Sequence, residues 1–174
     1  MPLTMHQASA PVFIQTLAAL SNVLDKGVAH CAATGQDAGA LIDACLAPDM
    51  MTLAEQVKQT CHHATVFVAR ACDIQEPDLG ETDTSFEAMK ARIATSLNFI
   101  SAVAPEAMDG SEGRRAEIQI RIGPVAFKTE DLLLHFTIPQ VLFHATTAYD
   151  IVRQAGVELA KVDFLGDCFS RKVD

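Results

Sequence analysis

Histidines are the residues of this chain best suited to chemistry, and one of the six stands in the middle of a well-patterned helix, "PQVLFHATTAYDIVRQAG" at 139–156. At about 100° per residue, Val141, Ala145, Ala148, Ile151, Val152 and Ala155 form one apolar face. His144 falls within that face, and Gln140 lies at its flank. A polar group that points inward needs a hydrogen-bond partner. Three roles are open to His144: a satisfied core residue, which leads, a metal ligand, or a metal-free catalytic base. On an earlier helix His63 lies near the edge of the apolar seam, and His62 lies on the opposite side. His30 is on the outer side of the first helix. His6 and His135 precede helices, and the sequence does not aim them. A catalytic zinc needs three protein groups converging on one point. Only His144 is clearly aimed inward, with His63 as a second ligand if its helix is rotated.

Other routes to catalysis have less support. GxSxG, HExxH, Walker-type and GxGxxG patterns are absent. Cys61 is followed by His62 and His63, but adjacent helical residues point about 100° apart, so neither imidazole is placed to activate the thiol. Cys61 reads as a small residue near the seam. Tyr149, the only tyrosine, reads as a hydrogen-bonding tie to another helix. Thr146 and Thr147 read as bonded back to their own helix.

The elements that must position these residues are mostly helical. Ser9 predicts the start of a first helix, with Pro11 just inside and Gly35 ending it. "DAGALIDACLAP" predicts a short linking helix stopped before Pro48. Met50, Leu53, Val57, Thr60, Ala64, Phe67, Ala71 and Ile74 alternate steps of three and four, the pattern of a bundle seam. Thr52 and Glu55 form a capping box at its start. "QEPDLGETD" is a loop on composition. Thr84 and Glu87 suggest a second capping box before Phe86, Met89, Ile93, Leu97 and Ile100. Ile118, Ile120 and Ile122 alternate with polar residues, which predicts a half-buried strand. Gly123-Pro124 predicts the turn, with Val125 and Phe127 returning. Thr137 then caps the helix that carries His144, Gly156 ends it, and Val162, Phe164 and Leu165 of the tail require cover. The whole predicts a single domain over residues 1–174, all-α, a four-helix up-down bundle with a short β-hairpin between helices 3 and 4.

Composition narrows the partners. With 22 acidic and 13 basic residues, the formal charge is −9. No basic stripe exists to release phosphate counterions, so nucleic acid is not an expected partner, and an anionic membrane surface is disfavoured for the same reason. Hydrophobic residues reach 49%, enough to predict either a subunit interface or a pocket. Five widely spaced cysteines without a CxxC read as reduced thiols of a cytoplasmic protein. The opening "MPLTMHQASAPVF" lacks the basic region of a signal peptide.

The stretches "MHQASAPVF", "LAPDMMTLAEQV" and "FHATTAYDIVRQAGVELAKVDFLG" together resemble the DinB-like (DinB/YfiT) four-helix bundle superfamily, in a branch whose domain has no assigned function. The likeness runs nearly end to end, and "GVELAKVDFLG" is its most specific piece. It implies a metal-dependent ancestry, with one histidine from the second helix and an HxxxH pair from the last. It also implies kinship with thiol-dependent transferases and isomerases. Counted back from the closing glycine, His144 matches the second histidine of that pair and Gln140 stands where the first would be. Glutamine is a poor ligand for zinc or nickel. The candidate metal set is therefore His144, His63 and Gln140, an incomplete triad. The leading expectation is a cytoplasmic homodimer, a small-ligand-binding or structural protein without a cofactor. The alternative is a metal-dependent enzyme, a thiol-dependent transferase or isomerase or a hydrolase, holding zinc or nickel on His144 and a second-helix histidine.

Overall fold

The computed structural model describes residues 3–81 and 83–173. Met1 and Pro2 of the opening segment, Thr82 of the loop read from composition and the final Asp174 lie outside them. Helix α1 (Met5–Thr34), the short α2 (Ala38–Ile42), α3 (Leu53–Cys72) and α4 (Phe86–Ser101) come first. Strands β1 (Arg115–Ile120) and β2 (Gly123–Lys128) follow, then one turn of helix α5 (Thr129–Asp131), a π-helical turn (Leu132–Thr137), α6 (Ile138–Gln154) and α7 (Lys161–Leu165). α1 and α3 each pack on both α4 and α6, and meet each other less closely across the diagonal. The fold is the expected all-α bundle with a hairpin between its third and fourth long helices. Phe13, Leu17, Leu24, Leu53, Val57, Phe67, Met89 and Val152 form the centre of its core.

Several helix ends differ from the sequence reading. α1 begins at Met5 rather than Ser9, because Thr4 and Gln7 make a reciprocal capping box. Ser9 is buried within the helix and donates its hydroxyl to the Met5 carbonyl at 2.6 Å. Thr52 and Glu55 form the capping box expected for α3. α4 is capped by Ser85 rather than Thr84, its hydroxyl accepting from the Ala88 amide at 3.1 Å. α3 stops at Cys72, where Asp73 takes a left-handed conformation at φ 55°, two residues before the expected end of the seam.

The largest difference is at α6. Thr137 is helical, with φ −66° and ψ −51°, and caps nothing. The chain is helical from Thr129 to Gln154 because a π turn absorbs Pro139. Proline has no N–H, and its ring crowds the carbonyl four residues back. Here the Ile138 amide bonds to Leu133, five residues back, and the widened turn gives the ring room. Such turns recur at functional sites.

The hairpin pairs Ile120 with Gly123, so its turn is Arg121-Ile122 and not Gly123-Pro124. Gly123 opens β2 at φ 120°, a value side chains disfavour. A lone hairpin is marginal in water, and this one lies on the bundle. Ala116 and Ile118 are buried, and the Arg114 guanidinium donates to the Ala71 carbonyl near the end of α3. At the other end of the chain α7 is fastened to α1. Gln15 donates to the Leu165 carbonyl at 2.8 Å, and Lys26 pairs with Asp163 at 2.7 Å. Gly166 has φ +60°, and a Cβ there would stand 3.1 Å from that of Ala19, so only glycine permits the approach. Phe164 and Leu165 are half-covered, while Val162 stays exposed. Tyr149 makes no side-chain hydrogen bond among the described residues, contrary to the expected tie; its ring meets Phe164 edge-on at 6.0 Å.

Candidate functional site

The site is organised by a stripe on α3. Gln56, Thr60, His63 and Phe67 follow each other at steps of four, three and four, so they share one helical face. α6 packs against α3 and brings His144 to this stripe. His144 Nδ1 lies 2.7 Å from Gln56 Oε1, with both side chains buried. The amide orientation is settled by its other end. Gln56 Nε2 donates to the Met51 carbonyl at 3.2 Å, so Oε1 is the atom facing the ring. An amide oxygen only accepts, hence His144 carries its proton on Nδ1 and keeps the lone pair on Nε2. His144 is thus inward and bonded, and the partner is Gln56. Gln140 stands one turn before it on α6, half-buried.

His63 completes the arrangement. Its ring lies nearly parallel to that of His144, centroids 5.5 Å apart at 11°. It meets His62 and Phe136 edge-on, at 5.4 Å and 5.7 Å. Among the described residues its nitrogens make no hydrogen bond. Burial, reinforced by the neighbouring His62 and His144, pushes its pKa down to about 3. Burial lowers that of His144 too. Both imidazoles are therefore neutral near pH 7.

This depression has a measurable consequence. Between pH 6.5 and about 3 the unfolded chain binds a proton at His63 that the folded chain refuses. Stability then falls as the pH drops through that window, by at most about 1.4 kcal/mol per pH unit for one histidine. Chemical denaturation at pH 7, 5.5 and 4.5 is expected to show the decline, and His63→Leu to flatten it. A slope of equal size in the variant would remove His63 as its source.

In front of His63 a cleft of about 180 Å3 opens between α3, β1 and the π turn. Val66, Phe67, Ile118, Ile120, Leu132 and Phe136 supply its apolar walls. The polar lining includes His62, His63 and the buried Thr137, whose hydroxyl has no hydrogen-bond partner among the described residues. Arg70 and Glu76 line it as well, joined to each other at 2.8 Å. The π turn thus has a local role, since it delivers Leu132, Phe136 and Thr137 to one wall.

The donor set falls short of a zinc or nickel cofactor. His144 is oriented as metal-bound imidazoles often are, with its other N–H on a carbonyl oxygen, and His63 is beside it. A third ligand is missing: among the described residues no group of three His, Cys, Asp or Glu side chains converges, and amides are weak ligands for these ions. Cys61 adds nothing, for it is fully buried and burial pushes its thiol up to about 12.

Sequence reasoning found His144 and His63 but missed Gln56 and the hairpin wall. Gln56 had a signal, since it falls on the same stripe as Leu53, Thr60 and His63. The placement of Ile118 and Ile120 across the cleft from α3 had none, because alternation marks a strand's buried face but not what covers it.

A family model described as "Domain of unknown function (DUF1993)" matches residues 5–165. A crystal structure of a DinB family member protein from Shewanella denitrificans is similar to this chain with a TM-score of 0.88 and 26% identity. The match covers 98% of this chain and 96% of that one. No curated protein matches.

Proposed function

The chain belongs to the DUF1993 family and has the DinB-like bundle fold, and from that premise we propose that it binds a small organic molecule in the cleft beside His63. One observation carries the reading: a neutral imidazole without a hydrogen-bond partner among the described residues faces a cleft with apolar walls. An apolar pocket with a few convergent polar groups is the common form of a small-molecule site. The same imidazole is ill suited to general-base catalysis. A general base works best with a pKa near the working pH, and His63 is held far below it.

Filling the cleft is the direct test. Val66 is a half-buried wall residue, and Val66→Trp is expected to occupy the space while keeping the helix. In a thermal-shift screen of neutral small organic compounds, wild type is expected to gain several degrees from some of them and the variant from none. Stabilisation follows saturation, about 2.7 kcal/mol at one hundred times Kd. Equal gains in both proteins would place binding elsewhere.

Two further parts of the reading rest on surface and thiols. Exposed Leu134, Leu142 and Phe143 near and along the start of α6 support self-association as a homodimer. Five free cysteines suit a reducing compartment such as the cytoplasm. No helix among the described residues is long and apolar enough to cross a membrane.

A further inference from the structure

The cleft's size, walls and charges constrain what fits it. Its volume, about 180 Å3, is close to the roughly 150 Å3 of an apolar protein cavity that takes up benzene. It is well below the roughly 300 Å3 at which sites for drug-sized ligands begin. The space suits one six-membered ring.

The walls favour an aromatic ring. Phe67, Phe136 and His63 all line the cleft, and His63 already meets Phe136 edge-on at 76°. Rings gain from offset and edge-to-face contacts beyond the area they bury, and a flat guest presents both a face and an edge.

Charge decides the rest. The cleft's one guanidinium and one carboxylate, Arg70 and Glu76, already neutralise each other at 2.8 Å. A charged guest would find no free counter-charge on these walls, and entering apolar surroundings unpaired is costly. Besides the exposed His62 and Gln119, the polar contacts left over are His63 and the Thr137 hydroxyl. Each can donate and accept, and among the described residues neither has a partner.

Resting on the reading of the cleft as a ligand site, we infer that its ligand is an uncharged molecule built on a single aromatic ring with one hydrogen-bonding group, of the size and polarity of phenol. The ring sits among Phe67, Phe136 and Leu132, and the hydroxyl reaches His63 or Thr137.

The experiment is methyl NMR on the full chain, following Ile118, Ile120 and Leu132, titrated with phenol, benzene, benzoate, benzylammonium and 2-naphthol. Phenol is expected to shift these methyls with the highest affinity of the five. His63→Leu or Thr137→Val is expected to weaken phenol about fivefold, the effect of one hydrogen bond, and to leave benzene unchanged. The pair of variants covers the case in which one fails to fold. Benzoate or benzylammonium binding as tightly as phenol would overturn the uncharged class, and tighter 2-naphthol would overturn the single ring. Unchanged phenol affinity in both variants would overturn the polar contact. If no probe moves these methyls, the cleft itself is not the ligand site.

Discussion

Arg92→Ala is expected to cost about 3–5 kcal/mol of folding free energy, the usual penalty for removing one partner of a buried ion pair. Arg92 and Asp83 are 4% and 9% exposed. The guanidinium grips the carboxylate with two nitrogens, Nε at 2.6 Å and Nη2 at 3.2 Å, and its Nη atoms reach the Gly80 carbonyl at 3.3 Å. Without the arginine, Asp83 is left charged in a dry environment. A domain of this kind has only about 5–15 kcal/mol in total, so the variant should be marginal. Asp83→Leu in the Arg92→Met background is expected to recover most of the loss, because apolar replacements of a buried pair are often neutral. Urea unfolding of the single and double variants checks this. A loss under 1 kcal/mol for Arg92→Ala would show that water reaches the pair. The same grip holds the irregular segment between α3 and α4, which carries Glu76 to the cleft. Arg92 therefore acts on the site from a distance, and its loss is expected to speed amide exchange around residues 74–81.

His144→Ala is expected to cost about 2–4 kcal/mol. Part is the cavity left by a buried ring, and part is the unpaired Gln56 oxygen, whose desolvation is no longer offset. The hydrogen-bond share is separable. Gln56→Leu and His144→Leu are each expected to destabilise by about 1–3 kcal/mol, since each strands the other's polar atom. The double variant should cost at least about 1 kcal/mol less than the sum of the two, a coupling of the size seen for residues in contact. Additive losses would mean that the 2.7 Å bond contributes nothing beyond packing.

Much of the bundle was legible because its seams are dense. α3 repeats apolar residues at steps of three and four for five turns, and Thr52 with Glu55 marks its start without competition. Ambiguity arose where two residues qualify for one task. Thr4 and Ser9 can both cap, and so can Thr84 and Ser85; side-chain bonds to Gln7 and Ala88 decide between them. The π turn was hidden for a different reason. Pro139 ordinarily marks a helix start, and nothing in the local pattern signals that the chain stays helical through Leu132–Thr137. At the site the wheel aimed His144 correctly, yet its partner lies 88 residues away. Arg92 was overlooked because arginine is rarely buried, although it falls between Met89 and Ser96 on the buried face of α4.

Native mass spectrometry of tag-free protein tests the central claim most directly, with His63→Leu measured alongside. The expected result is wild-type chain carrying no stoichiometric transition metal and taking up one equivalent of added phenol, with uptake weakened in the variant. One equivalent of zinc or nickel retained by the wild type and lost from His63→Leu would contradict it, and would make His63 and His144 ligands instead of a hydrogen-bonding wall and a structural tie.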